Sequence, residues 1–164
     1  MDRDRLALTP DQPITIQQVI YTEARESLQR VRREVFLEEQ GIDPKLEFDG
    51  KDNEAEHLLA LWESQPVGTL RIRYLPPFTA KIERLAVLPR ARGQGIGTLL
   101  LQAAIALIQS QSQWEWIHLN AQVQVQDLYK KLGFQTIGSE FEEAGIPHIQ
   151  MVKYLKSNLK MNIF

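Results

Sequence analysis

The stretch Ile82 to Gln102, IERLAVLPRARGQGIGTLLLQ, decides how this chain is read. A strand runs into Leu88, and Pro89 stops it because proline cannot donate to a ladder. The glycine-rich turn RGQGIG (92–97) then opens a helix over GIGTLLLQAAIALIQ (95–109). That helix is apolar nearly all round, which predicts deep burial. Glycines let backbone N–H groups point inward with no Cβ in the way. The helix N-terminus adds about half a positive charge. Together they can cradle a phosphate or pyrophosphate. Spacing weakens two nucleotide readings. A P-loop needs Gly-Lys-Ser/Thr, whereas Gly97 is followed by Thr98 and Leu99. A dinucleotide turn needs a third glycine where Thr98 stands and an acidic residue about 20 positions on. The next acidic residue is Glu115, and no parallel βαβ pattern surrounds it. On spacing alone, the turn is either an anion cradle or a tight connection with no ligand.

Outward from that stretch, strands and helices alternate. Residues 14–20 read as a strand, and 23–39 as one helix with Ala24, Leu28, Val31 and Val35 on one face. Gly41 stops it, and 40–54 is a loop rich in Asp, Gly and Pro. HLLALWE (57–63), VGTLRIRYL (67–75, after a turn at Gln65-Pro66) and TAKIERLAVL (79–88) read as a meander. After the buried helix come a strand at 114–121 and a short helix over 123–132, with Val125, Leu128 and Leu132 inward and Gly133 as its stop. A closing hairpin spans 134–141 and 146–155. The order β-α-βββ-α-β-α-ββ predicts an α/β (α+β) domain with a mixed, mostly antiparallel sheet and helices on both faces. One domain is expected over 13–155, between polar tails at 1–12 and 156–164.

Composition limits the function. Of 164 residues, 43% are hydrophobic and 24% charged, as in ordinary globular proteins. Nineteen basic and 21 acidic residues give a net charge of −2 with no basic stripe, which argues against nucleic acid as a partner. The chain has no Cys, so disulfides, thiolate metal sites and cysteine nucleophiles are excluded. His57, His118 and His148 lie far apart, so no metal site is expected. No segment approaches about 18 consecutive apolar residues, and no membrane partner is expected. The N-terminus lacks the apolar core of a signal peptide, so the expected location is the cytoplasm.

Two motifs carry a family resemblance. Arg92-Gly93-Gln94-Gly95-Ile96-Gly97 resembles the Arg/Gln-x-x-Gly-x-Gly/Ala signature of the GNAT superfamily of N-acetyltransferases. DLYKKLGF (127–134) resembles its second hallmark, Leu-Tyr-x-x-x-Gly-Phe, one strand later. VRREVFLEEQGI (31–42) and AGIPHIQM (144–151) resemble the ElaA-like branch of that superfamily. The similarity spans about residues 14–155.

The resemblance implies acetyl-CoA as co-substrate. Its pyrophosphate would rest on the backbone of Arg92, Gly93, Gln94, Gly95, Ile96 and Gly97, with Thr98 following. Its pantetheine arm would pair with Leu85, Ala86 and Val87, and an N–H near Val87 would polarise the thioester carbonyl. Tyr129 matches the family's acid for the departing thiolate, or else it only borders an apolar helix face. Glu83 is the candidate base through a water, or else a surface carboxylate paired with Arg84 or Lys81. Gln122 stands where many relatives carry a cofactor-contacting Asn.

The acceptor side is read from charge. Eight acidic residues from Glu38 and Glu39 to Glu56, against Lys45 and Lys51, form either a rim that attracts a cationic amine or a solvated loop. His57 and His148 are either acceptor contacts or packed histidines. Arg71 and Arg73 share one strand face, which either approaches an acidic group on the acceptor or cofactor or, as the preferred reading, faces solvent. The expected function is acetyl transfer to a primary amine of a small molecule or peptide. The alternative is an acyl-CoA-binding sensor without turnover. Monomer and homodimer are both open.

Overall fold

A computed structural model describes residues 13–155, and the two expected tails lie outside them. The strands are β1 (Ile14–Val19), β2 (Glu56–Trp62), β3 (Gln65–Leu75), β4 (Thr79–Val87), β5 (Trp116–Gln122), β6 (Gln135–Glu143) and β7 (Ile146–Tyr154). The α-helices are α1 (Tyr21–Arg32), α2 (Pro44–Glu47), α3 (Ile96–Gln109) and α4 (Gln126–Lys130). The strands form one sheet in the order β1-β2-β3-β4-β5-β7-β6. β1 with β2, β5 with β7 and β6 with β7 are antiparallel. β4 and β5 are parallel, as a crossover through a helix allows. The mixed, mostly antiparallel sheet flanked by helices is the architecture that the order of elements predicts.

The described residues divide into two compact units, one of residues 13–71 with Arg84–Ala103, the other of Ile72–Glu83 with residues 104–155. In the first, Tyr21 and Leu28 of α1 pack with Leu59 of β2, and Val19, Ala24 and Leu61 close the cluster. β1 and β2 run in register from Ile14 opposite Trp62 to Val19 opposite His57. The β2–β3 turn is Glu63-Ser64, both at positive φ (50° and 64°), not the expected Gln65-Pro66. A two-residue turn with both residues left-handed matches the twist of antiparallel strands, so β3 starts at Gln65.

The second unit is built on β5, β6 and β7. β5 pairs with β7 from Trp116 opposite Tyr154 to Gln122 opposite His148. β7 meets β6 through the turn Ala144-Gly145, again with both φ values positive. Ile117, Leu119 and Met151 are its buried centre.

Three other expectations change. The helix expected over 23–39 begins at Tyr21 and is α-helical only to Arg32, after which Arg33–Glu39 is π-helical. The wider turn ends with the N–H of Gln40 donating to Val35 (3.1 Å). Helix α3 is not buried all round. Ile96, Leu100, Leu101, Ala104, Ile105 and Ile108 face inward, while Leu99 is 38% exposed. In the 123–132 segment, Val125 is exposed and Tyr129 takes the inward place, because a short 3-10 turn at Val123–Val125 rotates the face.

Candidate active site

The glycine turn lies in the first unit. Beyond β4, the N–H of Leu88 donates to the Val67 carbonyl (2.8 Å), and Pro89–Ala91 form a single 3-10 turn. Gly93 and Gly95 then sit at φ +80° and +76°, where any other residue is strained. A Cβ built on either meets nothing within 4 Å, so the space over the turn is open. Arg92, Gly93, Gln94 and Gly95 are exposed. Ile96 is 2% exposed and anchors the start of α3 in the core. The first regular helical bond is Leu99 N–H to Gly95 (3.0 Å). The N–H groups just before it, through Ile96, Gly97 and Thr98, have no intrahelical acceptor to meet. No acidic residue stands in the first turn of this 14-residue helix. Exposed donors, open space and the positive end of a long helix fit a pyrophosphate.

One residue of the turn does something that spacing could not show. The Arg92 guanidinium forks onto Glu39, with Nη1 to Oε2 at 2.6 Å and Nη2 to Oε1 at 2.5 Å. Its Nε donates to the Val87 carbonyl (3.0 Å). The Arg92 hydrogen bond holds the Glu39 carboxyl below its ordinary range. Arg90 Nη1 similarly reaches Glu34 (2.9 Å). The π-helical segment is thereby tied to the turn at two points. Glu39, expected at the acceptor side, is committed to Arg92. Glu38 remains exposed and lines an open groove of about 420 Å3 with Glu26, Gln29, Arg30, Arg33 and Glu34.

The acidic segment is not the free rim that its sequence suggests. Glu47 and Asp52 are 2% and 7% exposed, and both bind Arg32, itself 1% exposed. Arg71, expected on a solvent-facing surface, is also 1% exposed. It pairs with Asp49 (2.7 Å) and Asp52 (3.0 Å). Arg84 adds a third cation, with Nε 2.6 Å from Glu47 and Nη2 3.3 Å from Asp49. Three arginines thus balance three carboxylates, as buried charge requires. Burial opposes ionisation of Asp49 and Asp52, but hydrogen bonds from Arg71 and Arg32 override it and hold both carboxyls low. His57 is sealed beside them at 1% exposure, with Nε2 2.8 Å from the Asp52 carbonyl and its ring 5.2 Å from that of Tyr21. Burial pushes its pKa down. Its surroundings give it a packing role.

β4 carries the residues expected to meet the pantetheine arm. Leu85 and Val87 are half-buried and Ala86 is buried. Arg84, just before them, sits at φ +56° in mid-strand. That backbone costs a non-glycine residue about 1–3 kcal/mol and breaks the alternation by which a regular strand would put Glu83 and Leu85 on one face. In the second unit, Glu83 is nearly buried between Arg73 (3.2 Å) and Lys81 (3.3 Å). Two cations compete with any water for its lone pairs.

The second unit holds the other candidates. Tyr129 is 7% exposed, edge-on to Phe134 with ring centroids 6.1 Å apart. Burial pushes its phenol far above the usual value, so it stays protonated. Gln122 ends β5, and its Oε1 accepts from Gln124 (3.3 Å). His148 is 7% exposed and stacked on Phe141. Its Nδ1 lies 2.6 Å from the Ile146 carbonyl, which can only accept. The proton is therefore on Nδ1, and Nε2 carries a lone pair in the neutral ring. That Nε2 is 3.6 Å from Glu143 Oε2. The β6–β7 hairpin brings this carboxylate back onto the histidine.

A model of the acetyltransferase (GNAT) domain matches residues 20–155. The chain belongs to the GNAT acetyltransferase family. A GNAT acetyltransferase moves an acyl group from acyl-CoA. An uncharacterized N-acetyltransferase of Bacillus subtilis, YjcF, is 38% identical over 124 residues, covering 75% of this chain and 87% of that protein. The crystal structure of an acyl-CoA N-acyltransferase from Pseudomonas aeruginosa superposes with a TM-score of 0.75 at 28% identity, covering 87% of this chain and 99% of the other. Escherichia coli ElaA gives a TM-score of 0.77 at 26% identity, covering 86% and 99%. ElaA does not stand apart from the other GNAT structure in this likeness.

Proposed function

We propose that this GNAT acetyltransferase passes the acetyl group of acetyl-CoA directly to a primary amine, with no covalent enzyme intermediate. The observation that carries the reading is the open turn at Gly93 and Gly95 leading into the unacidic N-terminus of α3. Bound acetyl-CoA supplies an activated acetyl thioester. The chain does the rest. Backbone N–H groups of the turn take the pyrophosphate, and Leu85–Val87 take the pantetheine arm. An N–H near Val87 stabilises charge growing on the carbonyl oxygen. Neutral Tyr129 gives its proton to the leaving thiolate.

For the base we favour His148 over Glu83. The Nε2 lone pair of His148 is fixed by the Nδ1–H bond to Ile146, and Glu143 stands ready to balance an imidazolium. Glu83 is already engaged by two cations. The acceptor is a small-molecule or peptide amine. The motifs VRREVFLEEQGI and AGIPHIQM support a place in the ElaA-like branch. The cytoplasm remains our proposed location.

The test is titration with acetyl-CoA and desulfo-CoA, followed by thiol release against a panel of amines. Binding with release for one amine class is the expected result. Binding with no release from any amine would favour a sensor. Absence of binding would reduce the turn to a connection.

A further inference from the structure

We infer that Arg84 and Thr69 are positioning residues that hold β4 in the bent form its last residues need to receive the acyl-pantetheine arm. The inference rests on the acyl-CoA reading given above and concerns how the protein shapes the strand that would bind it.

The starting point is the left-handed backbone of Arg84, at φ +56° inside a nine-residue strand. Glycine adopts this conformation without penalty, yet an arginine occupies it. Such a residue persists only where its surroundings fix it from several sides. Here they do. The Arg84 carbonyl accepts from the Thr69 hydroxyl (3.1 Å), and Thr69 is 1% exposed on β3. The guanidinium Nε lies 2.6 Å from Glu47 Oε2 as an ion pair without hydrogen-bond geometry. Nη2 donates to the Leu46 and Glu47 carbonyls (3.1 and 3.3 Å) and reaches Asp49 Oδ2 (3.3 Å).

Those partners are themselves immobilised. Glu47 is held by Arg32 and Asp49 by Arg71, and both arginines are fully buried. Removing Arg84 leaves three carboxylates against two cations. The far end of the same segment is also fixed. The peptide between Val87 and Leu88 gives its carbonyl to Arg92 Nε (3.0 Å) and its N–H to Val67 (2.8 Å). Leu85 and Ala86 lie between two pinned points, and the bend at Arg84 sets how their N–H and C=O groups are presented. The acidic segment, which the sequence offered as an acceptor rim, serves as the mould of this strand.

The test compares three variants, Arg84→Gln, Thr69→Val and Arg84→Lys, with two probes. ADP carries the pyrophosphate and no pantetheine. Acetyl-CoA carries both. Calorimetric titration should show ADP affinity within about twofold of the wild type for every variant. Acetyl-CoA affinity should fall about tenfold in Arg84→Gln and severalfold in Thr69→Val, with Arg84→Lys recovering part of the loss. An unchanged ratio of acetyl-CoA to ADP affinity, even with a lowered melting temperature, overturns the inference and leaves the network a purely structural one. An equal loss for both probes overturns it too, by placing the defect on the turn. Thr69→Val and Arg84→Lys keep the buried charges paired, so the test survives misfolding of Arg84→Gln. If the wild type binds neither probe, the acyl-CoA reading itself is wrong and this inference goes with it.

Discussion

Gly68 of β3 offers a sharp test of how the glycine turn is held. A Cβ added there would lie 3.0 Å from Leu100 Cδ1, 3.2 Å from Ala60 Cβ and 3.2 Å from Ile96 Cγ2. Its φ is not among the positive ones, so the backbone does not demand glycine. The demand comes from the close approach of α3. In Gly68→Ala, the neighbours must give by a few tenths of an ångström. Overpacking of this kind costs about 1–3 kcal/mol. Loss of glycine's freedom in the unfolded chain returns about 0.4–1 kcal/mol. The net is about 1 kcal/mol of destabilisation, or a melting temperature lower by about 2–4 °C for a chain of this length. Ile96 is the first residue of α3, so the same push displaces the donors that follow Gly95. Acetyl-CoA affinity should fall about three- to tenfold, roughly 1 kcal/mol. Thermal unfolding and calorimetric titration measure the two effects. A variant as stable as the wild type, with unchanged affinity, would refute the argument that close approach is why Gly68 is glycine. Gly68→Val should be worse on both counts.

Other outcomes follow from the same geometry. Gly95→Asp should abolish measurable CoA binding, because φ +76° strains any side chain and a carboxylate repels the pyrophosphate; unchanged affinity in the folded variant removes the cradle. Tyr129→Phe should lower turnover about 100-fold or more while CoA affinity stays within about threefold; equal turnover takes Tyr129 out of the mechanism. Stability should fall with acid in two stages. His57 is depressed by burial, so the unfolded chain takes up its proton first as pH drops below about 6.5. Asp49 and Asp52 are depressed by their arginines, so their contribution is complete above about 3.8 and is lost below it. A melting temperature flat from pH 7 to pH 3 would contradict both stages.

Features that depend on short-range pattern could be read directly from the residues. Period-two and period-3.6 runs set the order of strands and helices, because burial of one face imposes its period on the chain. The turn at 92–97 was legible because glycine placement and a helix start lie within six residues of each other. Tyr129 became a candidate only through the family resemblance of the eight-residue stretch DLYKKLGF. The remaining features depend on pairs far apart in the chain. Glu39 and Arg92 are 53 residues apart, and Arg71 and Asp49 are 22. No local pattern shows that a run of acidic residues will be folded onto three arginines from α1, β3 and β4. Read alone, such a run looks solvated; folded, Glu47 and Asp52 are buried and, with Asp49, paired with arginines, while Glu38, Glu39, Asp43 and Glu54 stay exposed. The left-handed backbone of Arg84 was equally invisible, since arginine carries no preference for it. Such features arise when long-range contacts override what each residue would adopt locally.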